Sequence, residues 1–114
     1  MPFEAEVAAL RDILRQIDLA FTFTNGHDAE AFEADTMRLY AAARCLEIIS
    51  EASERLSDAL KSRHPEIPWL EMAFAGSVYR HDDEDVAPRR IWDTVAIALP
   101  PLQTVVEAEL TAMC

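Results

Sequence analysis

Residues 65–95, PEIPWLEMAFAGSVYRHDDEDVAPRRIWDTV, contain the most informative turn of the chain. Pro65 and Pro68 flank two residues that cannot lie inside a helix, because proline removes a backbone N–H and restricts the residue before it. A short helix is then predicted from Trp69 to about Tyr79. Pro88 suits the first turn of the next helix, where its missing N–H would have no partner anyway. The segment therefore predicts a helix–loop–helix junction.

His81 lies at this junction, where the first of the two helices should end, and the acidic run 82–85 follows it. An imidazole with an ordinary pKa of ~6.5 can exchange a proton near neutral pH, which makes His81 a candidate for proton transfer. The same position also suits a capping histidine, since a cation is favoured at a helix C-terminus. The local sequence leaves both interpretations open.

The composition favours an all-α fold. The 114 residues are 51% apolar and include only two glycines, while alanine, leucine and glutamate are abundant. The length predicts one domain over residues 1–114. The cysteines, Cys45 and Cys114, offer neither a disulfide framework nor zinc spacing, so we expect no metal and no cofactor. With no leader sequence and no apolar run of ~20 residues, the expected location is the cytoplasm, with no membrane association.

Apolar periodicity predicts an up-and-down four-helix bundle with a short extra helix. The first helix is expected at about 4–22, followed by a stop at Asn25-Gly26 and a short helix capped by Asp28. Pro100-Pro101 should break or kink the last part of the chain. The other helices are expected at about 36–63, at 69–79, from 88 onward and, as a last segment, at 102–113.

The net charge of −11 bears directly on function. Nucleic-acid binders usually carry a basic patch, because phosphate contacts supply most non-specific affinity. An acidic chain disfavours RNA as a partner unless its arginines converge on one groove. A cationic protein partner and a merely solvated acidic surface agree equally well with this charge.

Arg44, Glu47 and Glu51 share one face of the second long helix. Two carboxylates on one face could act as acid and base or as metal ligands. Neither glutamate is followed three residues later by the histidine of a di-metal bundle, however. The favoured interpretation is a polar edge beside the core, with Arg44 paired to one of the glutamates.

Several separated motifs resemble the HepT-like branch of the HEPN superfamily in their order and spacing. One of them, RCLEIISEA, stands where that family usually reads Arg-Asn-Leu-Glu-Ile-Ile-Gly-Glu-Ala. The resemblance covers nearly the whole chain and needs no gap from Trp69 to Val95. The motifs are Arg44–Ala52, Ile67–Trp69, His81, Ile91–Val95 and Leu99–Leu102.

The resemblance implies a site and also shows what it lacks. The family signature is an arginine, four further residues and a histidine, often with a tyrosine two residues later. On this chain the histidine is His81, but Gly76 occupies the arginine position and Asp83 the tyrosine position. Arg80 adjoins His81 but points elsewhere if helical, and Arg44 and Arg38 on the facing helix are other candidate cations.

The family also implies an activity and partners. The resemblance implies a metal-independent RNA endonuclease toxin that acts as a homodimer. It also implies a partner, an MntA-like nucleotidyltransferase antitoxin that attaches AMP to the signature tyrosine. We therefore expect a homodimer, with His81, Arg80 and Arg44 as the candidate catalytic residues. The alternative is a catalytically silent HEPN module that dimerises and binds a protein or a nucleotide.

Overall fold

The computed structural model describes residues 2–72 and 88–113, and all regular structure in these two ranges is helical. The expectation of an all-α bundle is confirmed. Residues 69–72 are helical as well, at the start of the helix predicted from Trp69. The elements are α1 (Pro2–Thr24), α2 (Ala29–Ala34), α3 (Thr36–Glu54), α4 (Asp58–Ser62), α5 (Pro88–Asp93), a π-helical turn (Thr94–Ala98) and α6 (Leu99–Met113).

Helix α1 is the centre of the core, because it packs along both α3 and α6. Its buried side chains recur at helical spacing and meet the apolar stripes of these two partners. Full burial of one such aliphatic side chain contributes roughly 1.5–3 kcal/mol. The core residues of the three helices are Ala9, Leu10, Ile13, Ile17 and Ala20 from α1, Leu39, Ala42, Leu46, Ile49 and Ala52 from α3, and Leu99, Leu102, Val105 and Val106 from α6.

The connection from α1 to α3 follows the signals in the sequence. Gly26 has a φ of 80°, in the left-handed region that glycine adopts most easily, and it ends α1. The Asp28 carboxylate accepts the backbone N–H of Ala31 at 2.8 Å and caps α2, as predicted. Asp35 accepts the N–H of Arg38 at 3.2 Å and caps α3 in the same way.

Helix α2 attaches α5 to the rest of the protein. Phe32 has no exposed surface, and its ring lies 5.5 Å from that of Trp92 at an angle of 46°. Tilted aromatic pairs at this distance contribute about 0.5–1.5 kcal/mol beyond the area they bury. Phe32, the single aromatic side chain of the six-residue helix α2, therefore holds α5 in place.

The second long helix is shorter than expected. The apolar stripe predicted a helix to about residue 63, but α3 ends at Glu54 and α4 begins at Asp58. Ser57 caps α4 by accepting the N–H of Leu60 at 3.1 Å, while its own N–H donates to Glu6 of α1 at 2.7 Å. A break at this point lets Leu56 and Leu60 both stay buried.

Replacement of Ser57 by alanine should lower the free energy of unfolding by about 1 kcal/mol, because the N–H of Leu60 loses its partner. Urea denaturation of the wild type and the variant measures the difference. Ser62, exposed at the end of α4, is the matched control, and its replacement by alanine should change stability by less than about 0.5 kcal/mol. Equal effects at the two serines would show that the cap does not stabilise α4.

The proline pair was expected to interrupt the last part of the chain, yet helix continues on both sides of it. Pro100 and Pro101 lie in the first turn of α6, directly after the π-helical turn. Within that turn the N–H of Leu99 donates to the carbonyl of Thr94, five residues back. This π-helical hydrogen-bond pattern lets the helix continue without a break, because it changes the pairing just where two N–H groups are missing.

None of the helices described in residues 2–72 and 88–113 is long and apolar enough to cross a membrane.

Candidate functional site

The signature positions of the candidate site fall on a part of the chain outside the described residues. Gly76, Arg80, His81 and Asp83 all lie between residues 73 and 87. Their assignment therefore stays a prediction from the sequence. Arg44, the third candidate catalytic residue, lies on α3 and can be placed.

Arg44 is exposed and already has a carboxylate partner. Its Nη1 donates to Glu47 Oε2 at 3.0 Å, and 65% of its side chain is exposed. The predicted polar edge with Arg44 paired to a glutamate is thus confirmed. The Glu47 side chain is only 15% exposed, but most of the Arg44 side chain is open to solvent, so its guanidinium stays accessible to a phosphate.

Arg38, two turns before Arg44 on the same helix, is held more firmly. Its Nε lies 3.3 Å from Asp35 Oδ2, and its Nη1 donates to the carbonyl of Phe23 at 3.3 Å. Asp35 Oδ2 also lies 3.8 Å from the Nε2 of His27, a residue of the loop after α1. This guanidinium therefore connects α3 to the end of α1.

A shallow groove of about 510 Å³ lies between the end of α1 and the start of α3. Met37, 85% exposed, is one of its walls, and Tyr40, 54% exposed, follows on the same helix. Arg44 comes one turn after Tyr40, so a cation and two large apolar side chains share the exposed side of α3. The other residues that line the groove are Thr22, Phe23, Asp35, Arg38 and Ala41.

A partly buried ionic cluster that the sequence analysis missed joins the end of α4 to α6. Glu109 is only 9% exposed. Arg63 donates to both of its carboxylate oxygens, from Nη2 to Oε1 at 2.8 Å and from Nε to Oε2 at 3.2 Å. His64 Nε2 lies 2.6 Å from Oε2 of the same carboxylate. We call Arg63, His64 and Glu109 the Glu109 clasp.

A signal for the clasp was present in the sequence. Glu109 follows Val105 by four residues and Val106 by three, so it lies on the apolar stripe of α6. An acid on a buried stripe requires a cationic partner. His64 directly precedes Pro65 at the end of a predicted helix, where a dipole or capping role is a sufficient explanation, and helical periodicity cannot identify a partner 45 residues away.

The charges of the clasp reinforce one another. The hydrogen bond from Arg63 holds the pKa of the Glu109 carboxyl below its usual value of 4.5, against burial, which raises it, and the hydrogen bond from His64 lowers it further. The carboxylate in turn raises the pKa of the Arg63 guanidinium. Since an ionised carboxylate can only accept, the Nε2 atom of His64 carries the proton of their hydrogen bond.

This lowered pKa predicts the pH range in which Glu109 stabilises the fold. Above pH 4.5 the carboxyl is ionised in both the folded and the unfolded chain, and its contribution is complete. As the pH falls below 4.5, the unfolded chain takes up the proton first, so the contribution is lost by the time the folded pKa is passed. The difference in unfolding free energy between wild type and Glu109→Gln, about 1–3 kcal/mol at pH 7, should shrink as the pH falls from 5 to 3.

Urea denaturation of both proteins at pH 7, 5, 4 and 3 measures this difference. Asp12→Asn, which removes the carboxylate of the exposed Arg55–Asp12 pair, serves as the control. Because an exposed ion pair contributes little to stability, its difference from wild type should stay small at every pH. A Glu109→Gln difference that is independent of pH would contradict the lowered pKa.

Other chemistry-bearing groups of the described residues add no second reactive centre. Burial raises the pKa of the Cys45 thiol to about 11, so the thiolate needed for nucleophilic attack is scarce at neutral pH. Within residues 2–72 and 88–113, no three histidine, cysteine or acidic side chains come close enough to hold a metal ion.

Comparison with known proteins identifies the family. Residues 13–109 match the family described as ribonuclease HepT-like, so the chain belongs to the HepT-like ribonuclease family. A Thermococcus cleftensis protein named "Probable ribonuclease HepT" is 39% identical over 94 residues, which cover 82% of this chain and 86% of that protein. Two Methanocaldococcus jannaschii proteins with RNase names are 31% and 30% identical over 103 residues, 90% of this chain and 89% and 85% of theirs. No solved structure matches the chain significantly.

Proposed function

We propose that this protein is a metal-independent RNA endonuclease and that His81 is its general base. The observation that carries the proposal is membership of the HepT-like ribonuclease family together with a histidine at the signature position. In this reaction His81 takes the proton of a 2′-OH, and the 2′-oxygen then attacks the adjacent phosphorus. The bond from phosphorus to the 5′-oxygen breaks and that oxygen takes up a proton from water, so the products carry a 2′,3′-cyclic phosphate and a 5′-hydroxyl. DNA has no 2′-OH and is spared.

The phosphate needs a cation, and Gly76 cannot supply one. A guanidinium is suited to this task because its planar fork of donors matches phosphate oxygens. Arg80 adjoins His81 in the sequence, and Arg44 is exposed with only one carboxylate partner. We expect one of these two arginines to act in place of the missing one, at a reduced rate.

The biological role that follows is the toxin of a HepT/MntA-type toxin–antitoxin pair. We propose a homodimer as the active form, in which two sites combine their positive charge across a cleft. Asp83 has no phenol, so a partner nucleotidyltransferase could not attach AMP at this position as it does to the family tyrosine. Light scattering during size-exclusion chromatography tests the dimer, and a nucleotidyltransferase reading frame beside this one would support the pairing.

A second candidate is a catalytically silent HEPN module that binds a protein or a nucleotide. The observation that favours it is the shortage of free cations in a chain with a net charge of −11. Among the described residues, five arginines already lie 2.8–3.5 Å from a carboxylate, which leaves few free guanidinium groups for RNA. They are Arg38, Arg44, Arg55, Arg63 and Arg89.

Incubation of the purified protein with RNA in the presence of a chelator separates the two candidates. The proposed nuclease should produce fragments with 2′,3′-cyclic phosphate ends, and His81→Ala should not. A matched substrate in which deoxyribose replaces ribose at each cleavage site should stay intact. Fragments that persist with His81→Ala would point to a contaminating nuclease, and a wild type that leaves every RNA intact would favour the silent module.

A further inference from the structure

The Glu109 clasp holds the segment that leads from α4 to the helical residues 69–72. We propose that Glu109 is a positioning residue, which fixes the place of Trp69 and hence the start of the chain segment that runs on to Gly76 and His81. The effect of Glu109 on catalysis rests on the proposed function, whereas the placement of Trp69 by Glu109 does not.

The first link of the argument is the contact between α6 and the segment. Glu109 uses both carboxylate oxygens, one for Arg63 alone and one shared by Arg63 and His64. Because three donors from two consecutive residues bind one carboxylate, they fix the orientation of these residues relative to Glu109 as well as their distance from it. The other ring nitrogen of His64 lies 3.7 Å from Glu66, a residue of the same segment. The segment is thus attached to α6 by its side chains rather than by a helix.

The second link runs from the segment to Trp69. The indole N–H of Trp69 is shared by two carbonyls, that of His64 at 3.0 Å and that of Lys61 at 3.1 Å. The backbone N–H of Trp69 donates to Ile67 at 2.9 Å, and that of Met72 to Pro68 at 3.0 Å. The carbonyl of His64 therefore connects the clasp directly to the first helical residue.

Apolar burial alone would not set this direction. Ile67 is 4% exposed and holds the segment against the core, but apolar attraction does not depend on orientation. Burying a carboxylate is costly unless it is paired and hydrogen-bonded. If burial were the only requirement at position 109, a leucine would continue the apolar stripe of α6 without that cost. What the clasp provides beyond burial is a fixed orientation of His64.

Two variants separate orientation from stability. Glu109→Gln keeps the shape but loses the charge and one acceptor oxygen. Glu109→Leu removes the clasp but fits the apolar stripe, and the half-exposed Arg63 side chain can turn its charge to water, so the chain should stay folded even if Glu109→Gln is unstable. Asp12→Asn removes the acid of another inter-element ion pair, at 2.9 Å from Arg55, and is the control.

The first measurement needs no enzymatic activity. In ¹H–¹⁵N NMR spectra, assigned with Trp92→Phe, the indole N–H of Trp69 should shift and lose protection from solvent exchange in both Glu109 variants. It should stay unchanged in Asp12→Asn. An unchanged Trp69 resonance in folded Glu109→Leu would overturn the proposal whether or not the protein cleaves RNA.

The second measurement is the rate of RNA cleavage. Because misplacement by about 1 Å can cost a hundredfold in rate, kcat should fall about ten- to a hundredfold in the Glu109 variants. KM should change little, since a positioning residue acts on the place of the catalytic group and does not itself bind the substrate. A displaced Trp69 with an unchanged kcat would overturn the catalytic part of the proposal. If the wild type does not cleave RNA, the proposed function fails, and the Trp69 resonance alone confirms or rejects the clasp.

Discussion

The Gly76→Arg variant should cleave RNA about 10²–10³ times faster than the wild type. Position 76 precedes His81 by five residues, as the arginine precedes the histidine in the family signature. An added guanidinium would neutralise the phosphate as negative charge develops in the transition state, and one such donor commonly changes kcat by this factor. Initial rates on a fluorescent RNA without metal, at saturating and at low substrate, measure the gain and divide it between kcat and KM.

Two further variants show whether the gain comes from the charge. Gly76→Gln supplies a side chain and better helix propensity, worth about 1 kcal/mol, but no charge, and it should leave the rate close to that of the wild type. Gly76→Arg combined with His81→Ala should be inactive, because the base is missing. If Gly76→Arg leaves the rate unchanged although the protein stays folded, the two positions do not form one site.

Replacement of Phe32 by alanine should lower the free energy of unfolding by about 3–5 kcal/mol. Phe32 has no exposed surface, and it is the side chain through which α2 contacts Trp92 of α5. The variant loses the buried ring, the contact with Trp92 and the packing around the cavity that remains. Urea denaturation followed by circular dichroism measures the loss, and tryptophan fluorescence should report the changed surroundings of Trp92.

Phe32→Leu and Met37→Ala are the matched controls. Leucine keeps much of the buried volume, so it should cost less than half of the alanine substitution. Met37, 85% exposed on α3, is a large apolar residue without a buried contact area to lose, and its replacement should change stability by less than about 0.5 kcal/mol. A loss at Phe32 as small as that at Met37 would mean that α2 does not hold α5.

The all-α fold and several of its boundaries could be predicted because they depend on neighbours in the chain. The apolar stripe of α1 repeats every three to four residues, Gly26 permits a positive φ, and the carboxylates of Asp28 and Asp35 accept N–H groups three residues ahead. The same local logic predicted that Arg44 pairs with Glu47 or Glu51 on its own helix, and it pairs with Glu47. The motifs that carry the family resemblance are also contiguous stretches.

The features that the sequence analysis missed depend on residues that are distant in the chain. Helix α3 ends at Glu54. The backbone N–H of Ser57, shortly after this end, donates to Glu6, which lies 51 residues earlier in the chain. Glu109 meets Arg63 and His64 across 46 and 45 residues, and the acid on the apolar stripe had no partner until the helices packed. A periodic pattern shows which face of a helix is buried, but it does not show which residue of another helix lies opposite.

The residues of the chain therefore established the class of fold, the cap at Asp28 and the presence of a signature histidine without its arginine. Packing alone established that Arg63 and His64 meet Glu109, 46 and 45 residues away. The reason is physical. Helix formation and capping act over three to five residues, while the strength of an ionic contact depends on burial, which arises only when distant segments exclude water together.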